Sequence, residues 1–258
     1  MTAAEWLYTV DDGIGRYVFN RPEARNALTY PMYEELARVC AEMPTDGAVK
    51  ALIVTGSGGS FAAGTDMALF RDFTTAEQAW AYEDRMERVF DAIERCPVPT
   101  IAAIDGACTG GGAAIAACCD LRIATRRIRF GFPIARTLGN ALSAANLRRL
   151  VALVGAARTR EAILTAKLFD DEASLAAGFV HELVADAAAL DARSCELATT
   201  LAGHAPLTMR ATKEALRRLL HSEPVDARDL VALCYTSADF KEGMDAFLAK
   251  RRPVWQGR

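Results

Sequence analysis

Two small-residue turns constrain this chain more than any other feature. Ser60-Phe61-Ala62-Ala63-Gly64-Thr65-Asp66 follows the apolar run Ala51-Leu52-Ile53-Val54-Thr55. Asp105-Gly106-Ala107-Cys108-Thr109-Gly110-Gly111-Gly112 follows Thr100-Ile101-Ala102-Ala103-Ile104. Short apolar runs of this kind, bounded by turn residues, read as buried strands. Each turn then leads into a helix-like stretch. The first amides of a helix have no partner inside it and lie at the positive end of its dipole. Two strand-to-helix turns can therefore aim two backbone N–H groups at a single oxygen. That stabilises an oxyanion without a charged side chain.

The rest of the chain divides into a mixed part and a helical part. Ile14 to Asn20 reads as a strand, and Arg21 to Asn26 as a turn interrupted by proline and asparagine. Pro31 suits the first turn of a helix running to about Met43. Thr74 or Thr75 can cap a helix running to about Glu94, which Pro97 and Pro99 stop. Tiny residues from Ala113 to Cys119 form the helix behind the glycine triplet. Asp120 to Ala124 and Arg129 to Phe132 read as further short strands. From about Ala141 the pattern is almost entirely helical, with Asn140 as the expected N-cap of the first helix and Asp226 to Thr236 and Asp239 to Lys250 as the last two. Strands with crossing helices followed by helices alone predict an α/β core with a helical appendage. The expected division is a core over 1–200 and a C-terminal helical region over 201–258.

Composition excludes several function classes. A chain of 258 residues with 52% hydrophobic residues can bury a large core. Its formal net charge of −3 argues against nucleic-acid binding. Basic residues do cluster at Arg122 to Arg129, Arg148-Arg149, Arg217-Arg218 and Lys250-Arg251-Arg252, where the expected role is a solvated helix face or edge. No apolar run is long enough to span a bilayer, and Met1 to Leu7 lacks the basic-then-apolar pattern of a secretion signal. The seven cysteines are scattered, mostly in apolar segments, with no Cys-x-x-Cys pair. They read as reduced buried thiols of a cytoplasmic protein, not as zinc ligands.

Other catalytic motifs fail on register. Counting from Gly110, the last glycine of Gly-x-Gly-x-x-Gly would fall on Ile115; counting from Gly56, it would fall on Phe61. No phosphate-binding Gly-Lys-Ser/Thr occurs, and no Gly-x-Ser-x-Gly elbow. His181, His204 and His221 all lie in the helical half and read as surface or packing residues.

At four segments in order the chain resembles the crotonase superfamily, the enoyl-CoA hydratases and isomerases. They are Asn20-Arg21-Pro22-Glu23-Ala24-Arg25-Asn26-Ala27-Leu28, then Leu52 to Asp66, then Ile104 to Asp120, and finally Ser237 to Arg251 with Asp239-Phe240, Glu242-Gly243-Met244 and Ala246-Phe247-Leu248. The resemblance implies an α/β fold of repeated β-β-α turns in a spiral, with a C-terminal helical region that builds homotrimers or homohexamers. It implies an acyl-coenzyme A substrate, with coenzyme A arriving as part of it and no separate cofactor or metal. The backbone N–H groups of Thr65 and Gly111 would form the oxyanion hole. Arg25 and Ala27 would border the adenine and phosphate end of coenzyme A, and Ala63 and Asp66 the pantetheine channel. Phe247 and Lys250 would close over the nucleotide, unless Lys250 is simply a cation complementing a helix C-terminus.

The chain departs from that pattern where hydratases carry their two glutamates. One position is Ala114, two residues after Gly112; the other is Ile134, after Phe130-Gly131-Phe132-Pro133. A positioned acid or base contributes about 10²–10⁴ in rate, and neither residue can move a proton. Leu142 stands where related hydrolases and dehalogenases place an aspartate. The polar residues expected at the acyl end are Arg136, Thr137, Asn140 and Ser143. Arg136 could hold a substrate carboxylate bidentately, which would suit a decarboxylase or hydrolase of an acidic acyl group, or it could pair with a neighbouring acid. The acids available as bases are Asp66, Glu83, Asp84 and Glu87; Asp66 reads more readily as a backbone brace, the others as a solvated helix face. The double loss also admits a non-catalytic acyl-CoA binder.

Overall fold

A hairpin opens the chain. Asp12 and Gly13 both take left-handed backbone angles, φ 46° and 75°, the requirement of a tight two-residue hairpin turn. They join β1 (Trp6–Asp11) to β2 (Ile14–Phe19) in antiparallel register, Asp11 against Ile14. The computed structural model describes residues 4–71 and 74–221, and within 237–258 all but 240, 241, 243, 244, 247, 248, 250 and 252. The expected helix over 226–236 lies outside the described residues.

The remaining strands of the main sheet are parallel. β3 (Ala51–Gly56), β4 (Thr100–Ile104), β6 (Leu121–Thr125) and β8 (Glu182–Val184) follow β2, giving the order β1-β2-β3-β4-β6-β8. The two central strands are apolar because both faces are covered. On one face Ala51, Ile53, Ile101, Ala103 and Ile123 pack against Leu190 and Ala198 of α7 (Ala187–Ala202). On the other, Leu52, Val54, Ala102 and Ile104 join the larger core with residues of α1 (Tyr30–Ala41) and α2 (Ala76–Glu94).

A second, two-stranded sheet makes the spiral. β5 (Ala107–Thr109) pairs in parallel with β7 (Arg129–Gly131), Cys108 against Phe130. Ala62 bridges to Cys108 on one side, and Phe169 bridges to Phe130 on the other. Successive chain turns thus add one rung to each sheet, with a helix after each: α2 after β3, α3 (Gly111–Cys118) after β4 and β5, α4 (Ile134–Thr137) after β6 and β7. The β-β-α spiral is the observed architecture. α5 (Ala144–Leu164) follows, interrupted at Gly155, then α6 (Asp171–Ala176) and α8 (Pro206–His221). Helix starts follow the sequence: Thr29 caps α1, and Thr75 with Gln78 forms a capping box on α2.

Several expectations are corrected. Ser143, not Asn140, caps α5, accepting from the amide of Asn146. The helical half contains a strand, β8, whose three residues are too short for a periodic signal. Arg122 and Arg149 are buried, not solvated. Arg122 donates to the carbonyls of Ala116 and Cys119 at 3.2 and 2.6 Å, closing the C-terminal end of α3. Arg149 binds Glu87 at 2.5 Å and Glu94 at 2.9 Å, tying α5 to α2.

Candidate functional site

The two turns are stitched to each other and to the segment before α1. The amide of Ala62 donates to Ala107, and Thr109 donates to Ala62. On the other side Leu28 donates to Gly64, Ala63 to Arg25, and Asp66 to Leu28. These bonds fix both turns and use the amides around them. Among the described residues, no protein group accepts from the amide of Thr65 or of Gly111. Gly111 is the first residue of α3, so its N–H has no intrahelical acceptor and lies at the dipole's positive end.

Both residues face one cavity of about 130 Å³. Its wall also includes Ala114, Ile134 and Asn140, expected at the acyl end, and Ala63, expected at the pantetheine channel. The three-residue spacing of Ile134 and Thr137 on α4 lets both residues line the cavity. It leaves Arg136 between them on the exposed side, outside the cavity wall. No arginine, lysine or histidine among the described residues lines this cavity. A larger cavity, about 420 Å³, lies near the opposite, N-terminal ends of β3 and β4 against Trp255, away from both turns.

Two tyrosines complete the wall, and the sequence reading missed them. Tyr33 of α1 is fully buried, with its hydroxyl 2.8 Å from the Thr65 hydroxyl; Tyr82 of α2 reaches the same Thr65 oxygen at 3.1 Å. A Cβ built on Gly111 would fall 1.7 Å from the Tyr33 hydroxyl and 2.9 Å from Thr65 Oγ1. Only glycine fits there. Burial pushes the Tyr33 phenol well above its ordinary value and the Tyr82 phenol up to about 12. Both stay neutral at physiological pH and serve as hydrogen-bonding groups. The available signal was the periodicity of α1, where Met32, Tyr33, Leu36, Val39 and Cys40 share the buried face.

The four candidate acids have different fates. Asp66 caps the short 3-10 helix Met67–Phe70 and pairs with Arg21 at 3.0 Å. The amide of Ala68, with Arg21 beside it, holds its carboxyl below the usual range. Glu87 is held by Arg149, and Asp84 faces solvent. Glu83 lines the cavity. Burial, reinforced by the charge of Glu87, raises its pKa.

Arg25 and Ala27 do not line this cavity. The Arg25 carbonyl receives the Ala63 amide at 3.0 Å, and Arg21 links the Ala27 carbonyl at 2.7 Å to Asp66. Hydrogen bonds thus link Arg25 to Ala63, and Ala27 through Arg21 to Asp66. Phe247 and Lys250 lie outside the described residues. Among the described residues no cluster of histidine, cysteine and acidic side chains is arranged to hold a metal, and no helix is long and apolar enough to cross a membrane.

A sequence model of one family, enoyl-CoA hydratase/isomerase, matches residues 9–258. The chain belongs to the enoyl-CoA hydratase/isomerase family. It is 30% identical to the 2,3-dehydroadipyl-CoA hydratase of Escherichia coli, over 93% of each chain. It is 32% identical to the short-chain-enoyl-CoA hydratase of Clostridium acetobutylicum, over 90% of each. The crystal structure of an enoyl-CoA hydratase/carnithine racemase from Magnetospirillum magneticum superposes with a TM-score of 0.90, at 32% identity over 100% of this chain and 97% of that one. Within this family frame, a methyl group at Ala114 and a branched alkyl chain at Ile134 face the cavity.

Proposed function

We propose that this enzyme-family member binds an acyl-coenzyme A thioester and stabilises its enolate between the amides of Thr65 and Gly111. The observation that carries the reading is the pair of amides, without protein acceptors among the described residues, at one cavity. A thioester oxygen seated there would accept from both, with the dipole of α3 behind Gly111. The stabilisation strengthens as charge moves onto that oxygen, so it favours the enolate over the ground state. Coenzyme A would leave the cavity past Ala63 toward Arg25, Ala27 and Asp66. Phe247 and Lys250 would serve the nucleotide end, and no separate cofactor is invoked.

The wall chemistry favours a neutral acyl group. The one charged side chain lining the cavity among the described residues is the acid Glu83, so a substrate carboxylate would meet a like charge and no cation. This argues against a decarboxylase or hydrolase built on Arg136. Self-association has support in the apolar side chains left exposed on α5 and α8: Leu147, Val151, Leu216 and Leu219. A homotrimer, alone or paired, would cover them.

The test is the infrared carbonyl stretch of ¹³C-labelled butyryl-CoA on binding. A shift to lower frequency is expected, because two donors weaken the C=O bond. The thioether S-butyl-CoA, which lacks the carbonyl, should bind at least tenfold more weakly. Binding without a carbonyl shift would overturn the reading.

A further inference from the structure

The cavity wall holds one carboxylate that, among the described residues, no hydrogen bond or ion pair explains. α2 carries six acids, and five of them have an evident place. Glu77 sits in the first turn beside the Thr75 cap, at the positive end of the helix. Glu87 and Glu94 bind Arg149, and Asp91 binds Arg95 at 2.6 Å. Asp84 faces solvent. Glu83 lies one turn before Met86 and two before Phe90, on the stripe whose other members are core residues. It is half-buried, makes no hydrogen bond or ion pair with any described residue, and faces the cavity that Thr65 and Gly111 also face. A carboxylate placed on a buried stripe without a partner is unfavourable for folding. Such groups mark sites of proton chemistry.

We infer that Glu83 is the acid–base residue of this site, taking over the proton transfer that Ala114 and Ile134 cannot perform. The inference rests on the acyl-CoA reading above. The carboxylate removes the proton from Cα of the bound thioester and becomes a carboxylic acid. The C–H electron pair forms the second bond between Cα and the carbonyl carbon, and the carbonyl π pair moves onto the oxygen held by the two amides. In a 3-enoyl thioester the charge extends to Cγ. Glu83 then delivers a proton to Cγ, which moves the double bond into conjugation, or back to Cα, which is exchange once the carboxyl proton has been replaced from solvent. One carboxylate suffices, and no co-reactant enters.

The surroundings suit this role. Among the described residues the titratable neighbours are Tyr33 on α1, Tyr82 and Glu87 on α2, and Arg149 of α5 behind Glu87. Arg85, the next cation along α2, is taken by Glu34. Among the described residues no cation pairs with Glu83, and burial with the Glu87 charge raises its basicity.

The experiment follows deuterium from D₂O into butyryl-CoA and 3-hexenoyl-CoA by mass spectrometry, for wild type, Glu83→Gln and Glu83→Asp. Wild type should exchange Cα and conjugate the 3-enoyl chain. Glu83→Gln should slow both by about 10²–10⁴-fold, remove the acidic limb of the pH profile, and keep the carbonyl shift of bound butyryl-CoA. Glu83→Asp should restore part of the rate. Exchange by Glu83→Gln within threefold of wild type overturns the assignment. So does a wild type that shifts the carbonyl but exchanges nothing. Wild type that neither binds nor shifts the thioester overturns the acyl-CoA reading, and this inference with it.

Discussion

The Tyr33 hydroxyl lies 2.8 Å from that of Thr65, although α1 and the first turn are 32 residues apart in sequence. Tyr82 of α2 closes on the same oxygen at 3.1 Å. Three hydroxyls carry three protons, and the two bonds among them use two. The third remains for another acceptor. The network also fixes the turn whose amide is proposed to hold the thioester oxygen, because Thr65 is clamped by two rigid aromatic side chains.

Removing one clamp should therefore cost stability and rate modestly. Tyr33→Phe deletes one hydrogen bond and leaves Thr65 bonded to Tyr82. Urea denaturation is expected to show a loss of about 0.5–1.5 kcal/mol, and α-proton exchange should fall tenfold or less. An unchanged urea midpoint would mean that the network does not tie the turn down.

Gly111→Ala should act through the same hydroxyl. Its Cβ would fall 1.7 Å from the Tyr33 oxygen, inside a packed wall. Overpacking of this kind costs about 1–3 kcal/mol, and the carbonyl shift of bound butyryl-CoA should vanish as the amide moves. Combined with Tyr33→Phe, the loss in thermal stability should be clearly smaller than the sum of the two. Additive losses would place the clash elsewhere.

The turns were legible in the sequence because strands covered on both faces spell themselves out as apolar runs, and the glycines between them have few other uses. The hairpin strand β1 and the three-residue β8 were not legible. Both sit at edges of the sheet, where the sequence alternates weakly or is too short for a period. Arg149 read as a surface cation because its partners, Glu87 and Glu94, lie over fifty residues away on α2. Arg136 and Ile134 are neighbours in sequence but face opposite ways on one helical turn, which composition cannot show. Glu83 was legible in principle: Met86, Val89, Phe90 and Ile93 define the buried stripe of α2, and counting back one turn reaches an acid. The local charge run around it concealed that periodicity.

Crotonyl-CoA hydration should be slow. Addition of water requires one group to activate the water and another to deliver a proton, and Glu83 is a single carboxylate. Turnover is expected at least tenfold below that of the Clostridium acetobutylicum short-chain-enoyl-CoA hydratase assayed alongside. Rates within tenfold would show that a second acid–base group has been overlooked.

Arg149→Met should destabilise strongly and alter the site at a distance. The guanidinium is 2% exposed and serves two carboxylates. Its loss leaves Glu87 and Glu94 without their buried partner, a change that costs about 3–5 kcal/mol. Glu87 would then act on Glu83 with its charge unneutralised. The acidic limb of the exchange profile should move to higher pH. A variant that melts with the wild type would refute the structural role, and an unmoved limb would refute the electrostatic link.

Glu83→Gln should make the protein more stable while making it less active. Burial and Glu87 raise the folded-state pKa of Glu83 above its ordinary value near 4.5. Above the folded pKa the group is ionised in both states, and only the folded state carries the cost of a partly buried, unpaired charge. Between the folded pKa and 4.5 the folded state binds the proton first, so that cost fades as pH falls. Below 4.5 both states are protonated and the difference is gone. Glutamine is neutral throughout and fills nearly the same volume. Its melting temperature should exceed wild type at pH 8, and the gap should close as the pH approaches 4.5. A gap that instead widens on acidification would mean the carboxylate is stabilised in the fold by a favourable partner, and the trade between stability and proton transfer would not hold.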